Sequence, residues 1–216
     1  MISFAVALGL LAVEEWSLPI ERRVCEGLSY GVWSEPDANG RMVPGAPDSS
    51  SFEAHFPVDG FDDRQTCTWY THQLSALDER RLPSPARGTE FRLTWLRSFH
   101  HPMSFRVFVD AQARQARLEW READGAGGYD PGQLARHDVV LLDDAATASF
   151  LARLQEADIC AATRQVDGGE DGAQWIFESS GSDTYCLHDA WSPGGALREL
   201  GHFLFDYASV PDDERY

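Results

Sequence analysis

Between Phe91 and Arg121 the sequence alternates almost residue by residue between side chains that avoid water and side chains that seek it. Phe91, Leu93 and Trp95 are separated by Arg92 and Thr94; Met103, Phe105, Val107 and Val109 follow the same rhythm against Ser104 and Arg106; Leu118 and Trp120 sit among Arg117, Glu119 and Arg121. A period of two puts every apolar residue of a strand on one face, so each run reads as a strand with one side to bury. Three such runs in succession, separated by short breaks, predict an antiparallel meander. A further strand is expected over Asp138 to Leu142. Beyond it Asp143 and Asp144 can cap a helix that carries Phe150, Leu151, Leu154 and Ala157 at helical spacing. Ala173 to Glu178 and Thr184 to Trp191 read as a hairpin across Ser179 to Asp183, and Ser192-Pro193 opens a last helix lined by Leu197, Leu200, Leu204 and Tyr207. The fold class is therefore α+β, an antiparallel β-sheet (meander plus C-terminal hairpin) with two helices packed on one face.

The chain has 216 residues, enough for one domain with a sizeable core, and 43% hydrophobic residues to fill it. Residues 86–216 carry the α+β pattern. Residues 14–85 are poorer in it: Ser34 to Ser51 is dense in Pro, Gly, Asp and Ser and reads as a long surface loop between apolar pieces at Val24 to Trp33 and Gln65 to Thr71. A second break falls at Leu82 to Gly88. Thirty-five acidic residues against 18 basic ones give a net charge of −17, which repels phosphate backbones and anionic lipid. Nucleic acid is thus a poor partner and a basic protein a good one. All the basic residues are Arg. The lack of Lys removes Walker-type phosphate binding, Schiff-base chemistry and Ser-Lys hydrolysis.

Residues 1–13 hold an uncharged run from Ile2 to Val13 with the length of a signal-peptide core, too short to span a bilayer of about 30 Å. No basic residue precedes it; the competing reading is a buried N-terminal element of a cytosolic protein. Four cysteines, Cys25, Cys67, Cys160 and Cys186, form no CxxC or Cys-His finger spacing, which argues against zinc. With the apolar leader they read as two disulfides in an oxidising compartment, periplasmic or secreted, with no stable membrane insertion once the leader is cut. Three connectivities are open; Cys25 with Cys67 and Cys160 with Cys186 is the favoured one.

Three constellations resemble chemistry. Cys186 and His188 are two apart on one strand and share a face, with Asp189 on the other, so a thiol stands beside an imidazole; a disulfide at Cys186 would end that reading. His100 and His101 end a strand before Pro102, but adjacent strand positions point apart and do not readily chelate one metal. Asp167, Asp171 and Glu178 occupy the first, fifth and twelfth places of a calcium-loop pattern that lacks an oxygen ligand at Gly169 and is followed by a strand instead of a helix. No cofactor fingerprint is present.

The segments FRLTWLRSFHHP (Phe91 to Pro102), DGAGGYDPG (Asp124 to Gly132), DGAQWIFE (Asp171 to Glu178) and AWSPGGALRELG (Ala190 to Gly201) resemble those of a group of small uncharacterised exported bacterial proteins. The resemblance covers residues 90–208. It implies a bacterial source and export, and it transfers no catalytic residue. The expected function is a non-catalytic protein-binding module, of the inhibitor or immunity type, with Trp33, Trp69 or Tyr129 as anchors if exposed. The alternative is a hydrolase or thiol enzyme using Cys186 with His188, or a metal site near His100 and His101.

Overall fold

Strand pairing in the computed structural model follows the alternation closely. The structure describes residues 33–36, 42–44, 55–56, 61, 64–82, 89–110, 115–161, 169, 171–181 and 184–216. Six strands, β3 (Thr89–Arg97), β4 (Met103–Asp110), β5 (Gln115–Ala123), β6 (Leu134–Leu142), β7 (Ala173–Ser180) and β8 (Tyr185–Trp191), form one antiparallel sheet in the order β6-β5-β4-β3-β7-β8. The meander β3-β4-β5-β6 thus grows outward on one side, and the β7-β8 hairpin is added to the other side of β3. Ahead of the sheet, β1 (Trp33–Pro36) and β2 (Met42–Pro44) pair as a short ribbon inside the stretch expected to be loop. Residues 1–13 and Cys25 lie outside the described residues.

One sheet face carries Phe91, Leu93 and Trp95 of β3, Met103, Phe105 and Val107 of β4, Leu118 and Trp120 of β5, and Trp175 and Phe177 of β7, all buried. Helices α2 (Asp144–Ala157) and α3 (Gly195–Tyr207) cover this face, as their apolar stripes require. The Asp143 carboxylate caps α2 by accepting from the Ala146 N–H at 2.8 Å. Phe150 of α2 packs edge-on to Phe91, and Phe205 of α3 stacks on Trp95 with ring centroids 4.0 Å apart. Each such large apolar side chain contributes about 1.5–3 kcal/mol by leaving water. Close approach sets the residue at Gly201, where a Cβ would come within 2.0 Å of the Trp175 ring.

The opposite face is also covered. Helix α1 (Arg64–Ala76), which runs past both ends of the Gln65–Thr71 segment read only as a short apolar piece, lays Cys67, Tyr70, Thr71 and Leu74 onto it, against Leu96 and Ile176 of the sheet. These positions follow the 3–4 spacing of a helix stripe. After α1 the chain turns at Asp78, whose φ of 52° is a left-handed helix stop, and delivers Glu79 into the sheet.

Cys160, just beyond α2, is bonded to Cys186 on β8 with Cα atoms 5.1 Å apart, the pairing expected. Cys67 is also disulfide-bonded. The Cys160–Cys186 bridge closes a separation of 26 residues. Replacing both cysteines by serine should therefore lower stability by about 3–4 kcal/mol in the chain-entropy picture, read as the urea midpoint at unchanged slope. No described helix is long and apolar enough to cross a membrane.

Candidate functional site

The four segments singled out in the sequence meet at one end of the sheet. The β3-β4 turn (98–102) lies beside the β5-β6 loop (124–133); Ser98 donates its N–H to the Gly172 carbonyl at 3.0 Å, and Ser192 donates its N–H to the Ala173 carbonyl at 2.8 Å. Residues 212–216 pack on the same end. Arg97 there donates to the Glu214 carboxylate at 2.6 Å and to the His101 carbonyl, with its guanidinium 4.5 Å above the Trp95 ring. The Trp95 indole N–H donates to the backbone oxygen of Tyr216 at 3.2 Å.

The β5-β6 loop is held by its own backbone. Every N–H from Asp124 to Tyr129 is donated to a carbonyl at 2.8–3.1 Å, including Gly127 to His100 and Gly128 to Arg97. Asp124 and Asp130 accept the N–H groups of Gln133 and Gly132 through their side chains at 2.8 and 2.9 Å. The buried Gln73 of α1 donates to the Tyr129 carbonyl at 3.1 Å. Two glycines are needed for contact: a Cβ would lie 2.6 Å from the Arg97 nitrogen at Gly127 and 2.7 Å from the Ser98 oxygen at Gly128. Gly127→Ala should thus push the loop off β3 and destabilise by about 1–3 kcal/mol, seen in thermal unfolding, with faster amide exchange over 124–133.

What this rigid loop presents is apolar. Tyr129 is 64% exposed and Phe99, on the facing turn, 62% exposed; their rings lie 6.1 Å apart, tilted by 34°. Phe99 is missed by the alternation because it lies beyond the end of β3, in a turn where no period operates. Of the other anchors suggested by the sequence, Trp69 is partly buried against the α1 cluster, and the Trp33 side chain lies outside the described residues.

The predicted site residues are placed as follows. His100 and His101 diverge: His100 Nδ1 is 2.5 Å from the Tyr216 hydroxyl, whereas His101 Nδ1 is 3.2 Å from Glu122, which also receives Arg136 at 2.9 Å. The two imidazoles therefore do not converge on one metal. Cys186 shares its sulfur with Cys160, so no thiolate exists there and the Cys186–His188 nucleophile is overturned. His188 is buried with its ring 6.3 Å from Phe177. Asp189, on the other face as expected, accepts from Tyr70 at 3.2 Å. The calcium-loop reading also falls: Glu178 lies inside β7 and turns its carboxylate to Arg92 and Tyr185, while Asp167 is outside the described residues and Asp171 stands exposed. Among the described residues, no three His, Cys, Asp or Glu side chains are grouped to hold a metal ion.

Residue types suited to catalysis do gather under α1, in a sealed place. Glu79 accepts from Ser104 at 2.8 Å, from Arg106 Nε at 3.0 Å and from Arg121 at 3.0 Å, with Arg92 at 3.6 Å. Glu178 accepts from Arg92 Nε at 2.6 Å and from the Tyr185 hydroxyl at 2.8 Å, and Glu90 pairs with Arg80 and Arg106. Arg92 and Arg106 also donate to the Arg80 carbonyl at 2.7 Å. Burial alone would push the Glu79 carboxyl up, but Arg106, Arg92 and Arg121 outweigh it and hold it at about 2. Burial raises the Glu178 carboxyl, with Arg92 and Tyr185 pulling it back, and raises the Tyr185 phenol well above 10. His55 Nε2 donates to the Glu79 carbonyl, 2.6 Å away; burial first and Arg92 second push its imidazole down to about 4. The side chains of Glu79, Arg92 and Glu178 have no solvent exposure, so this cluster fixes α1 and the turn after it to the sheet and offers no substrate a path.

At the sheet end two exposed aromatic rings stand side by side, one of them on a loop held by its own backbone hydrogen bonds, near the half-exposed His101 imidazole. No known family's profile matches this chain, and neither does any curated protein.

Proposed function

We propose that the protein is an exported, non-catalytic binding module that takes a basic protein partner on the Phe99–Tyr129 surface. The observation that carries the reading is the exposure of both rings, Tyr129 at the end of a loop whose N–H groups from Asp124 to Tyr129 are all bonded and Phe99 on the turn that this loop packs against. Large exposed apolar groups on ordered loops lose little freedom when a partner covers them, which is what makes aromatic anchors effective. The net charge of −17 supports a basic partner through steering and complementarity. The Cys160–Cys186 disulfide supports an oxidising compartment, periplasmic or secreted.

The test is capture on the immobilised, oxidised protein. A basic partner should be retained at low salt, weaken steeply as salt rises, and lose affinity by about 30-fold or more for Phe99→Ala with Tyr129→Ala, at unchanged unfolding midpoint. Retention indifferent to the double substitution would defeat the reading.

A further inference from the structure

Strand β6 is an end strand, paired with β5 and, among the described residues, with no other strand. Every residue from Leu134 to Val139 is exposed, and three of the exposed large hydrophobics lie on it: Leu134 at 39%, Val139 at 45% and Leu141 at 74%. The other end strand is treated differently. β8 is tied by Cys186 to Cys160, and its Trp191 lies under Gly169 so closely that a Cβ there would come within 2.4 Å of the indole nitrogen. The pairing of β6 with β5 is regular from Arg136 to Leu142, with a bulge between Leu134 and Arg136, and an edge with exposed apolar side chains and no proline over that regular stretch is a template for strand addition.

We propose that β6 pairs antiparallel with β6 of a second copy of this chain, joining the two sheets across a two-fold axis at His137. The charges select this register. A two-fold perpendicular to the sheet keeps faces matched only when it centres on a residue, because opposite side chains must share a face. Centred on His137, within the regular stretch of β6, it sets Arg136 opposite Asp138 of the second copy, twice. Shifted by one residue, the axis sets Asp138 against Asp138 or Arg136 against Arg136, which is unfavourable. Arg136 is already ordered for this pairing, since it bonds Glu122 at 2.9 Å and lies 5.0 Å over the Trp120 ring, on the same face as Asp138. This surface is distinct from the Phe99–Tyr129 pair, and its salt response has the opposite sign. Two copies of charge −17 repel, so moderate salt should strengthen self-association while it weakens capture of a basic partner.

Sedimentation velocity of the full, oxidised chain at micromolar concentrations tests the pairing, with hydrogen exchange over 134–142 followed against concentration. A dimer is expected, with amides of β6 protected more as concentration rises. Asp138→Arg should raise the dissociation constant at least tenfold by setting arginines opposite one another, and adding Arg136→Asp should restore it by inverting both signs. Val139→Lys, at an exposed site that leaves the core untouched, should also weaken the dimer. A chain that stays monomeric, a dimer unmoved by folded Asp138→Arg and Val139→Lys variants, or a folded double variant that fails to re-associate would each overturn the proposal.

Discussion

Replacing Glu79 by alanine should cost about 3–5 kcal/mol, a large fraction of the stability of an ordinary domain. The reason is arithmetic of charge in a place without water. Glu79 stands between Arg92, Arg106 and Arg121, with Ser104 as a further donor, and its side chain is fully buried. Removing it leaves guanidinium groups facing one another with one negative partner fewer, and the Glu79 turn loses its anchor beneath α1. Removing a guanidinium together with the carboxylate is milder, because no buried charge is stranded: Glu79→Leu with Arg106→Leu should cost less than the sum of the single changes. Urea unfolding of the four proteins in the cycle measures this directly. A single-variant cost below about 1 kcal/mol, at unchanged slope, would show that the network does not bear on stability.

Acidification should act first through His55. Its imidazole is held at about 4 in the folded protein against 6.5 for an ordinary histidine. The unfolded chain then binds the proton that the folded chain refuses, so stability present above 6.5 is lost as pH falls towards 4, by about 3 kcal/mol over the whole window. Glu79 acts later: with a carboxyl at about 2 against an ordinary 4.5, its contribution is complete above 4.5 and is lost as pH falls towards 2. Glu178 has the opposite sign, since burial raises its carboxyl and acid relieves that penalty. Between pH 7 and 5, the fall in unfolding free energy should therefore belong mainly to His55 and flatten in His55→Gln. Burial also lowers His72 and His202, so some slope should remain. A slope identical to that of the parent protein would contradict the assignment.

The legible parts of the fold were those with a strict local rhythm. The apolar residues of β3, β4 and β5 announced their shared face, the Asp143 cap announced α2, and Leu200 and Leu204 announced the buried stripe of α3. Helix α1 was hidden because its stripe of Cys67, Tyr70, Thr71 and Leu74 is interrupted by threonines that suit strands equally well. Alternation reports that two sheet faces differ, and it cannot report that the polar one is covered. Arg92 and Arg106 sit where a solvated face would put them, yet their partners Glu178 and Glu79 are 86 and 27 residues away, a pairing no local pattern encodes. At the sheet end, Tyr129 could be read as an anchor from its turn, whereas Phe99 became one only when the β3-β4 turn and the β5-β6 loop came together.

The most direct test of the Phe99–Tyr129 surface is photo-cross-linking in the living cell, with a benzophenone amino acid at position 129 and, as control, at the exposed Leu151 on α2. The account predicts one discrete adduct of defined mass from position 129, lost when Phe99→Ala is added, and no such adduct from position 151. Absence of an adduct at 129, or the same adducts from both positions, would contradict it.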